Sequence, residues 1–238
     1  WRCFYEDGTQ IDLLSDVHAM KSAMNRQFPG AAVGEGWEKF VAWSRRMYSL
    51  SEKVFFYKDL EGISDLIRKP PPRGGGLMGD VLAMRMHSTV AATAHRWIHE
   101  PHLRQLSEHF LQYVGSSPFL APAILGLIAA AQVDHGCWYS MGGTRQVAKS
   151  LERILREENA KLLNGVGVKK IVEQGGQATG VALDDGRELL ADVVLSNCDV
   201  QRTYRDLVSS PRRAREQKRI AKKYTPACSG VVLYLGLN

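Results

Sequence analysis

Residues 134–157, DHGCWYSMGGTRQVAKSLERILRE, form the stretch from which the fold can be predicted. They read as a short hydrophobic strand, a glycine pair at Gly142 and Gly143, and a helix with apolar residues at helical spacing. Thr144 can cap the start of that helix. Adjacent glycines at a strand-to-helix turn let the backbone approach a ligand closely, with amide N–H groups near the positive end of the helix. A tight turn without a ligand is the alternative, because a glycine pair is a weak signal.

The sequence beyond this helix predicts strands joined by tight turns. Most of these strands alternate apolar and polar residues, which is the pattern of a strand with one buried face. The last one, DVVLSN, is a nearly continuous apolar run, as expected of a strand buried on both faces. The predicted strands are residues 167–173, 178–183, 188–190 and 192–197, with turns at Gly175-Gly176 and Asp185-Gly186.

The N-terminal half of the chain predicts one hairpin and then mainly helices. Ser15 is expected to cap the first helix, which Pro29 and Gly30 end. Residues 119–133 are the most apolar run, but they are too short to span a bilayer, which takes about 20 residues. They predict a buried core helix, with a wall of an apolar tunnel or a surface dipping into a membrane as alternatives. The predicted elements are a hairpin over residues 2–13 and helices over residues 15–27, 36–57, 77–98 and 101–115.

The net charge of the chain limits the classes of partner that it is expected to bind. A formal net charge of +6 suits an anionic membrane surface as well as nucleic acid. Residues 212–223, RRAREQKRIAKK, predict a basic helix that is either a plain solvated surface or a contact with anionic lipid. Nucleic acid is not expected, because the chain has no DNA- or RNA-binding motif and no basic run interleaved with aromatic residues.

The cysteines and histidines indicate no disulfide and no metal site. Cysteines at four distant positions, with no CxxC pair, favour reduced thiols in a cytosolic protein, and no signal peptide is visible. His95 and His99 are spaced to share a helix face, but Pro101 breaks the helix before His102. With Glu100 and His109 nearby in sequence, these residues are more simply solvated or core-edge side chains than ligands, and we expect no metal.

Several runs of sequence, taken together and in order, carry a resemblance to one protein family. The matching runs include Y-E-D-G-T, E-P-H-L-R-Q-L, Y-V-G-S-S-P-F, W-Y-S-M-G-G-T, V-K-K-I, G-V-A-L-D-D-G-R-E, A-D-V-V-L-S-N-C-D-V and V-V-L-Y-L-G-L-N. They resemble the bacterial-type phytoene desaturases, which are carotenoid-forming flavoproteins of the wider amine-oxidase-like FAD superfamily. The resemblance covers nearly the whole chain and is weakest over residues 61–96.

The resemblance implies a function and a cofactor. The expected reaction is FAD-dependent desaturation of phytoene or a related carotenoid precursor, in which a hydride passes from a polyene C–H to the flavin inside an apolar tunnel. An isomerase, or a desaturase of another isoprenoid such as a diapocarotene or a hydroxylated squalene, is an alternative within the superfamily. A non-catalytic lipid-binding module is an alternative of another class. The expected partners are the carotenoid substrate and a membrane surface that a cytoplasmic protein binds peripherally, and a homo-oligomer is left open.

The resemblance also implies which residues form the site. Asp134 and His135 are the only titratable pair next to the expected flavin, and they are weak catalytic candidates because the reaction needs no strong base. The expected cofactor-binding residues are Gly142, Gly143, Thr144, Val168 and Asn197. The expected substrate-tunnel residues are Ser116, Pro118, Phe119, Trp138 and Tyr139.

The expected fold class is mixed α/β, with an incomplete Rossmann-like FAD-binding domain and a mainly helical substrate domain. No G-x-G-x-x-G follows a predicted strand, and the glycines at residues 74–76 follow three prolines, which indicates a linker. In the resembled family this fingerprint lies before the point where the present sequence begins, so we expect an internal fragment. The expected FAD-binding parts are residues 1–14, 135–198 and 226–238, and the substrate parts are residues 15–134 and 199–225.

Overall fold

The computed structural model of the chain describes residues 1–30, 32–52, 56, 84–224, 230–233 and 236. These residues contain helices and antiparallel strands, so the mixed helix-and-strand class is confirmed, whereas no parallel sheet occurs within them. The strands are β1 (Arg2–Phe4), β2 (Gln10–Asp12), β3 (Val168–Gln174), β4 (Gln177–Leu183) and β5 (Glu188–Leu190). The helices are α1 (Val17–Gln27), α2 (Val33–Ser51), α3 (Val90–Ala94), α4 (Pro101–Glu108), α5 (Leu127–His135), α6 (Arg145–Glu157), α7 (Val200–Arg202) and α8 (Pro211–Lys223).

The N-terminal hairpin and the first helix form largely as the sequence predicts. β1 and β2 pair antiparallel with Cys3 opposite Ile11, and Ile11 is fully buried. α1 is capped by Asp16 and not by Ser15, because the Asp16 carboxylate accepts a hydrogen bond from the amide of Ala19 at 2.6 Å. A carboxylate is as good an N-cap as a hydroxyl, and only the backbone geometry decides which residue takes the position.

The long helix α2 is the centre of the helical core. It begins at Val33, three residues before the predicted start, and residues 53–55 and 57 of the predicted span lie outside the described residues. Gly34 and Gly36 allow close packing, since a Cβ would strike the carbonyl oxygens of Lys21 and Trp97 respectively. The core formed around this helix includes Met20, Met24, Trp37, Phe40, Val41, Val90, Ala94, Leu103, Leu106, Phe110, Ala129 and Val133.

The single helix predicted over residues 77–98 is wrong in the part that the structure describes. Arg85 has a φ of +48°, which is left-handed backbone, and Thr89 is extended and forms a β-bridge with Pro122. Helix α3 starts only after Thr89, whose hydroxyl accepts from the amide of Ala92 at 3.2 Å. Residues 77–83 lie outside the described residues. The helix predicted from Pro101 is confirmed, and it continues as a 3₁₀ turn, His109–Val114, that ends at Gly115.

The apolar run at residues 119–133 forms a 3₁₀ turn, Ala123–Gly126, followed by α5. α5 packs on α2, and its residues Ala129, Ala130 and Val133 are buried, which confirms the core-helix prediction for its second half. The strand predicted just before the glycine pair is wrong. α5 continues to His135, and the indole N–H of Trp138 donates back to the His135 carbonyl at 2.8 Å, so the chain curls at this point.

The three-stranded sheet β3–β4–β5 is antiparallel and matches three of the predicted strands. The fourth predicted strand, residues 192–197, is not a strand in the structure. The ladder beside β4 ends with the amide of Ala191, which donates to the Thr179 carbonyl at 3.0 Å. Among the described residues no strand lies beside the next ones to pair with their backbone, and Leu195 is 96% exposed. The chain then enters α7, a π-helical turn Thr203–Leu207, and the predicted basic helix α8.

Contacts divide the chain into two units, Trp1–Trp138 with Ala227–Asn238, and Tyr139–Pro226. The hairpin packs on the helices of the first unit through Ile11 and Leu13. The predicted FAD-binding and substrate domains are defined by the ligand each would hold, so that division stays a prediction. No described helix is long and apolar enough to cross a membrane.

Candidate functional site

The glycine pair forms a turn that leaves its backbone accessible. Gly142 and Gly143 have φ values of +83° and +87°, and the Gly143 amide donates to the Ser140 carbonyl at 2.8 Å. Among the described atoms, a Cβ on Gly143 would meet nothing nearer than the Tyr139 hydroxyl at 3.9 Å. A Cβ on Gly142 would meet the end of the flexible Gln146 side chain at 2.9 Å. The open side of this turn can therefore receive a ligand group against the main chain.

The start of α6 follows this turn directly. Thr144 occupies the N-cap position as predicted, yet within the described residues its side chain makes no capping hydrogen bond. A helix start without a side-chain cap retains its favourable field for a negatively charged group. An accessible glycine backbone and an uncapped helix start are compatible with a cofactor that carries polar or anionic groups, and the assignment of flavin to this turn stays a prediction.

Val168 and Asn197, predicted to hold the cofactor, line the same cleft in the second unit. The cleft has a volume of about 250 Å³ and is mainly apolar. Val168 is the first residue of β3 and pairs with Leu183. Val168 is 44% exposed. The other lining residues are Ile171, Val181, Val194, Leu195, Ser196, Cys198 and Leu207.

A second hollow of about 300 Å³ continues this cleft, because Ile171, Val194, Ser196 and Cys198 line both. The Ser196 and Thr203 hydroxyls are 2.9 Å apart, and Arg213 of α8 lies 3.8 Å from the Glu173 carboxylate. This hollow was not predicted from the sequence, because the residues of β3 that line it, Ile171 and Glu173, carry no local signal of a cavity.

Asp134 and His135, the weak catalytic candidates, are the last residues of α5 and are engaged in the first unit. The Asp134 carboxylate accepts from the Arg45 guanidinium at 2.6 and 2.9 Å, which raises the pKa of Arg45. The His135 ring lies 5.2 Å from the ring of Tyr48. Both contacts tie the end of α5 to α2, so these side chains have a structural role that no local sequence signal indicated.

The predicted tunnel residues are divided between the two units. Ser116, Pro118 and Phe119 lie in one loop of the first unit, where the Pro118 carbonyl accepts from the Ala91 amide at 3.0 Å. Trp138, which is 92% exposed, is the last residue of the N-terminal segment of the first unit, and Tyr139 is the first residue of the second unit. Phe119 is also exposed. The structure brings the first three together, and the tunnel itself stays a prediction.

Two of the histidines considered as ligands contact carboxylates, whereas His109 Nδ1 lies 2.6 Å from the Leu106 carbonyl oxygen. His95 Nε2 is 2.6 Å from Glu108, and His102 lies between Glu100 and Asp7. The part of the chain that the structure describes contains no group of three or more His, Cys, Asp or Glu side chains able to hold a metal ion.

Comparison of the sequence with known proteins identifies a family to which the chain is similar. The model of the family described as "Flavin containing amine oxidoreductase" matches residues 2–236. The chain is 32% identical over 238 residues to a 4,4'-diapolycopene oxygenase of Methylomonas sp. It is 33% identical over 238 residues to a 4,4'-diaponeurosporene oxygenase of Staphylococcus haemolyticus, and 30% identical over 237 residues to one of Staphylococcus aureus. Each match covers 100% of this chain and 46% of the relative.

These findings decide the class of protein. The chain spans about half the length of the relatives it matches, and the match runs along the whole of the present chain. The predicted flavin cofactor, the oxidoreductase class and the resemblance to carotenoid-oxidising proteins are confirmed at the level of the family. The chain belongs to the family of flavin-containing amine oxidoreductases.

Proposed function

We propose that the whole protein is an FAD-dependent oxidoreductase that acts on a linear carotenoid of the diapocarotene class. The observation that carries this proposal is the match along all of the present chain to relatives named for oxidising diapolycopene and diaponeurosporene. Phytoene is the second candidate substrate, and it rests on the resemblance of the sequence motifs alone.

The residues of the second unit account for cofactor binding in this proposal. The glycine turn lets the main chain contact the cofactor at Gly143, which is open, and at Gly142, where the neighbouring Gln146 side chain is flexible. The apolar cleft beside Val168 and Asn197 suits the adenine end, because a flat heterocycle can be buried there with its edge toward the backbone. When bound, FAD supplies the acceptor for the hydride that leaves the substrate.

The residues of the first unit account for the substrate. A polyene offers no group for hydrogen bonding, so it is recognised by apolar surface, and the exposed ring of Phe119 is such a surface. The Asp134 carboxylate is already engaged by three hydrogen bonds from the Arg45 guanidinium. We therefore assign it no proton-transfer role, and the proton leaves to a solvent or other weak acceptor.

Product analysis tests this proposal. The full-length protein, reconstituted with FAD, is incubated separately with diapolycopene, diaponeurosporene and phytoene, and the products are separated and weighed by mass spectrometry. We expect turnover of a diapocarotenoid. Loss of hydrogen identifies a desaturase, gain of oxygen an oxygenase, and an unchanged mass with altered retention an isomerase. A full-length protein that binds no flavin and converts none of the three would be a lipid-binding module, which contradicts the proposal.

We further propose that the protein takes this insoluble substrate from a membrane that it binds peripherally from the cytoplasm. Helix α8 supports the proposal, since its sequence has seven basic residues and one acidic residue, Glu216. Ile220 is buried and anchors the helix, while Lys222 and Lys223 are exposed at its end. The Lys223 ammonium lies 5.1 Å from the ring centre of Tyr224, an aromatic residue suited to the lipid headgroup region.

A further inference from the structure

His102 lies between two carboxylates from different parts of the first unit. Its Nδ1 is 2.7 Å from an oxygen of Glu100, the residue before α4, and its Nε2 is 3.0 Å from an oxygen of Asp7 in the β1–β2 turn. A neutral imidazole has one N–H and can donate to one carboxylate, whereas the imidazolium donates to both. The arrangement is therefore complete only when His102 is protonated.

The surroundings of His102 hold the ring in this position. The Tyr5 ring meets it edge-on at 4.6 Å, and the Tyr5 hydroxyl donates to the His102 carbonyl at 2.9 Å. The Phe28 ring, just after α1, stacks on the other side at 6.2 Å and carries no charge. His102 is 23% exposed and Glu100 is 9% exposed, so solvent screens the inner pair only in part.

The titratable groups that face His102 come from two elements. Asp7, Tyr5 and Glu6 belong to the hairpin, and Glu6 lines the same hollow of about 250 Å³ as His102. Glu100 caps α4, because its second oxygen accepts from the Leu103 amide at 2.6 Å. This second hydrogen bond fixes Glu100, while Asp7 is 56% exposed and lies on a turn. The contact free to open is the one between His102 and Asp7.

We propose that the protonation of His102 is a pH-sensitive latch that holds the tip of the β1–β2 hairpin against the start of α4. When His102 loses its proton, one ring nitrogen becomes an acceptor and faces a carboxylate. The contact with Asp7 then changes from attractive to repulsive, and the hairpin tip detaches from the helix while the buried Ile11 keeps the base of the hairpin in place.

The direction of the pH dependence follows from the two partners. The hydrogen bond to Glu100 and its charge, and after them the charge of Asp7, raise the pKa of His102. The latch is therefore fully formed below the ordinary histidine pKa and is lost as pH rises through the raised value. The pKa of Asp7 is lowered, chiefly by the hydrogen bond from Thr9, so its contribution is lost only in acid. The latch thus holds in mildly acidic solution and opens as the solution becomes alkaline.

Amide exchange measured by NMR on the full-length protein tests the latch. The reporters are the amides of Tyr5 and Gly8, which bond across the hairpin turn. After correction for intrinsic rates, we expect their protection to fall about two- to fivefold between about pH 5.5 and about pH 8.5, the size expected of a partly exposed charge pair. In His102→Gln the protection should not change with pH. The midpoint of the His102 ring titration should lie above the ordinary histidine value, about 6.5.

Two variants of the hairpin, Asp7→Asn and Glu6→Gln, form a matched pair that tests the latch even if His102→Gln does not fold. Asp7→Asn keeps an oxygen for the Thr9 amide but places an N–H donor toward the ring, which suits neutral His102. Its pH dependence should therefore vanish or reverse. Glu6→Gln removes a neighbouring charge and should behave like the wild type. A His102 midpoint at or below the ordinary histidine value, pH-independent wild-type exchange, or wild-type behaviour of Asp7→Asn would each overturn the latch.

Discussion

At the scale of single residues, a glycine can be irreplaceable because its backbone angles strain any residue with a Cβ, or because a ligand lies where a side chain would be. Two glycines of this chain allow the two causes to be separated. Gly143 and Gly186 have nearly equal φ values, +87° and +88°, which strain any residue with a Cβ. Neither is crowded, because the structure places no described atom within 3.5 Å of a Cβ at either position. Substitution of both by the same residue therefore costs the same backbone strain, and any further loss reports a ligand.

We predict that Gly143→Val removes the flavin from the full-length protein, whereas Gly186→Val does not. Both should lose about 1–3 kcal/mol in the free energy of unfolding from backbone strain. Only the first places a side chain where the cofactor is expected. The ratio of flavin to protein absorbance, with urea unfolding of both variants, measures the two effects. A yellow Gly143→Val protein with normal flavin occupancy would contradict the assignment of this turn.

A second prediction concerns Val168. We expect the backbone of this residue, and not its side chain, to contact the adenine, so Val168→Ile should leave FAD affinity unchanged. Val168→Pro removes the N–H and should weaken FAD binding, while the first position of a strand tolerates proline structurally. Titration of the apoprotein with FAD compares the two. Equal affinities would show that the contact is assigned wrongly.

The residues that could be predicted are those whose signal is local. The glycine turn and the start of α6 follow from a few consecutive residues. The pairing of Arg45 with Asp134 joins positions 89 residues apart, and neither has a neighbour in sequence that marks it. The placement of Asp16 and not Ser15 as the cap of α1 depends on backbone angles that two adjacent capping residues cannot distinguish.

At the scale of elements, β3–β5 could be predicted because their pairing partners are close in sequence, whereas the predicted strand at residues 192–197 needs partners from elsewhere. The three strands of the sheet are joined by turns of two glycines and of Asp185-Gly186, so each finds its partner next to it in sequence. A strand buried on both faces needs neighbours from elsewhere. Residues 192–197 have none among the described residues, and Leu195 is nearly fully exposed. An apolar run indicates that a segment tends to be buried, but it does not show which strands would lie beside it.

One buried hydroxyl links α2 to the start of α5. Ser44 donates to the Gly126 carbonyl at 2.6 Å and accepts from the Ala130 amide at 2.8 Å. We predict that Ser44→Ala lowers the free energy of unfolding by about 1–3 kcal/mol, because both backbone groups lose a partner inside the core. Ser49→Ala, at an exposed position of the same helix, should change it by less than about 0.5 kcal/mol. Urea unfolding measures both, and equal losses would contradict the role of Ser44.

The basic helix α8 gives a prediction about the membrane. Each well-placed basic residue contributes about 1 kcal/mol to binding of an anionic bilayer at low salt, and ions screen this attraction. We therefore expect the full-length protein to sediment with anionic vesicles at low salt and to be released at high salt. The double variant Lys218→Glu with Lys222→Glu should bind weakly in both conditions.

A control of equal charge shows whether the position matters. Lys169→Glu with Lys170→Glu changes the net charge of the same unit by the same amount, on the exposed part of β3. This variant should bind vesicles almost as well as the wild type. Indifference of the wild type to anionic lipid, or equal loss in both double variants, would leave α8 as a plain solvated surface.

At the scale of the whole molecule, apolar surface is distributed unequally between the two units. The first unit buries a continuous core around α2. In the second unit α6 has an apolar stripe along one side, yet its residues are exposed in the structure: Val147, Leu151, Ile154 and Leu155. Such a stripe is typical of a helix that packs on a sheet. The sequence predicted this face correctly, but periodicity alone does not identify what covers it.

The last prediction is that the 238-residue chain alone binds FAD weakly and does not turn over a carotenoid. FAD affinity depends largely on the pyrophosphate, which a glycine-rich loop and a helix start hold through aligned N–H donors. The sequence has the glycine turn at Gly142 and the strand at Val168, and no G-x-G-x-x-G in it follows a strand predicted from the sequence. The exposed stripe of α6 should also make this chain poorly soluble. Equilibrium dialysis against FAD, with a full-length relative as the positive control, measures the affinity. Micromolar or tighter binding, or turnover with FAD supplied, would show that the described residues suffice for the cofactor.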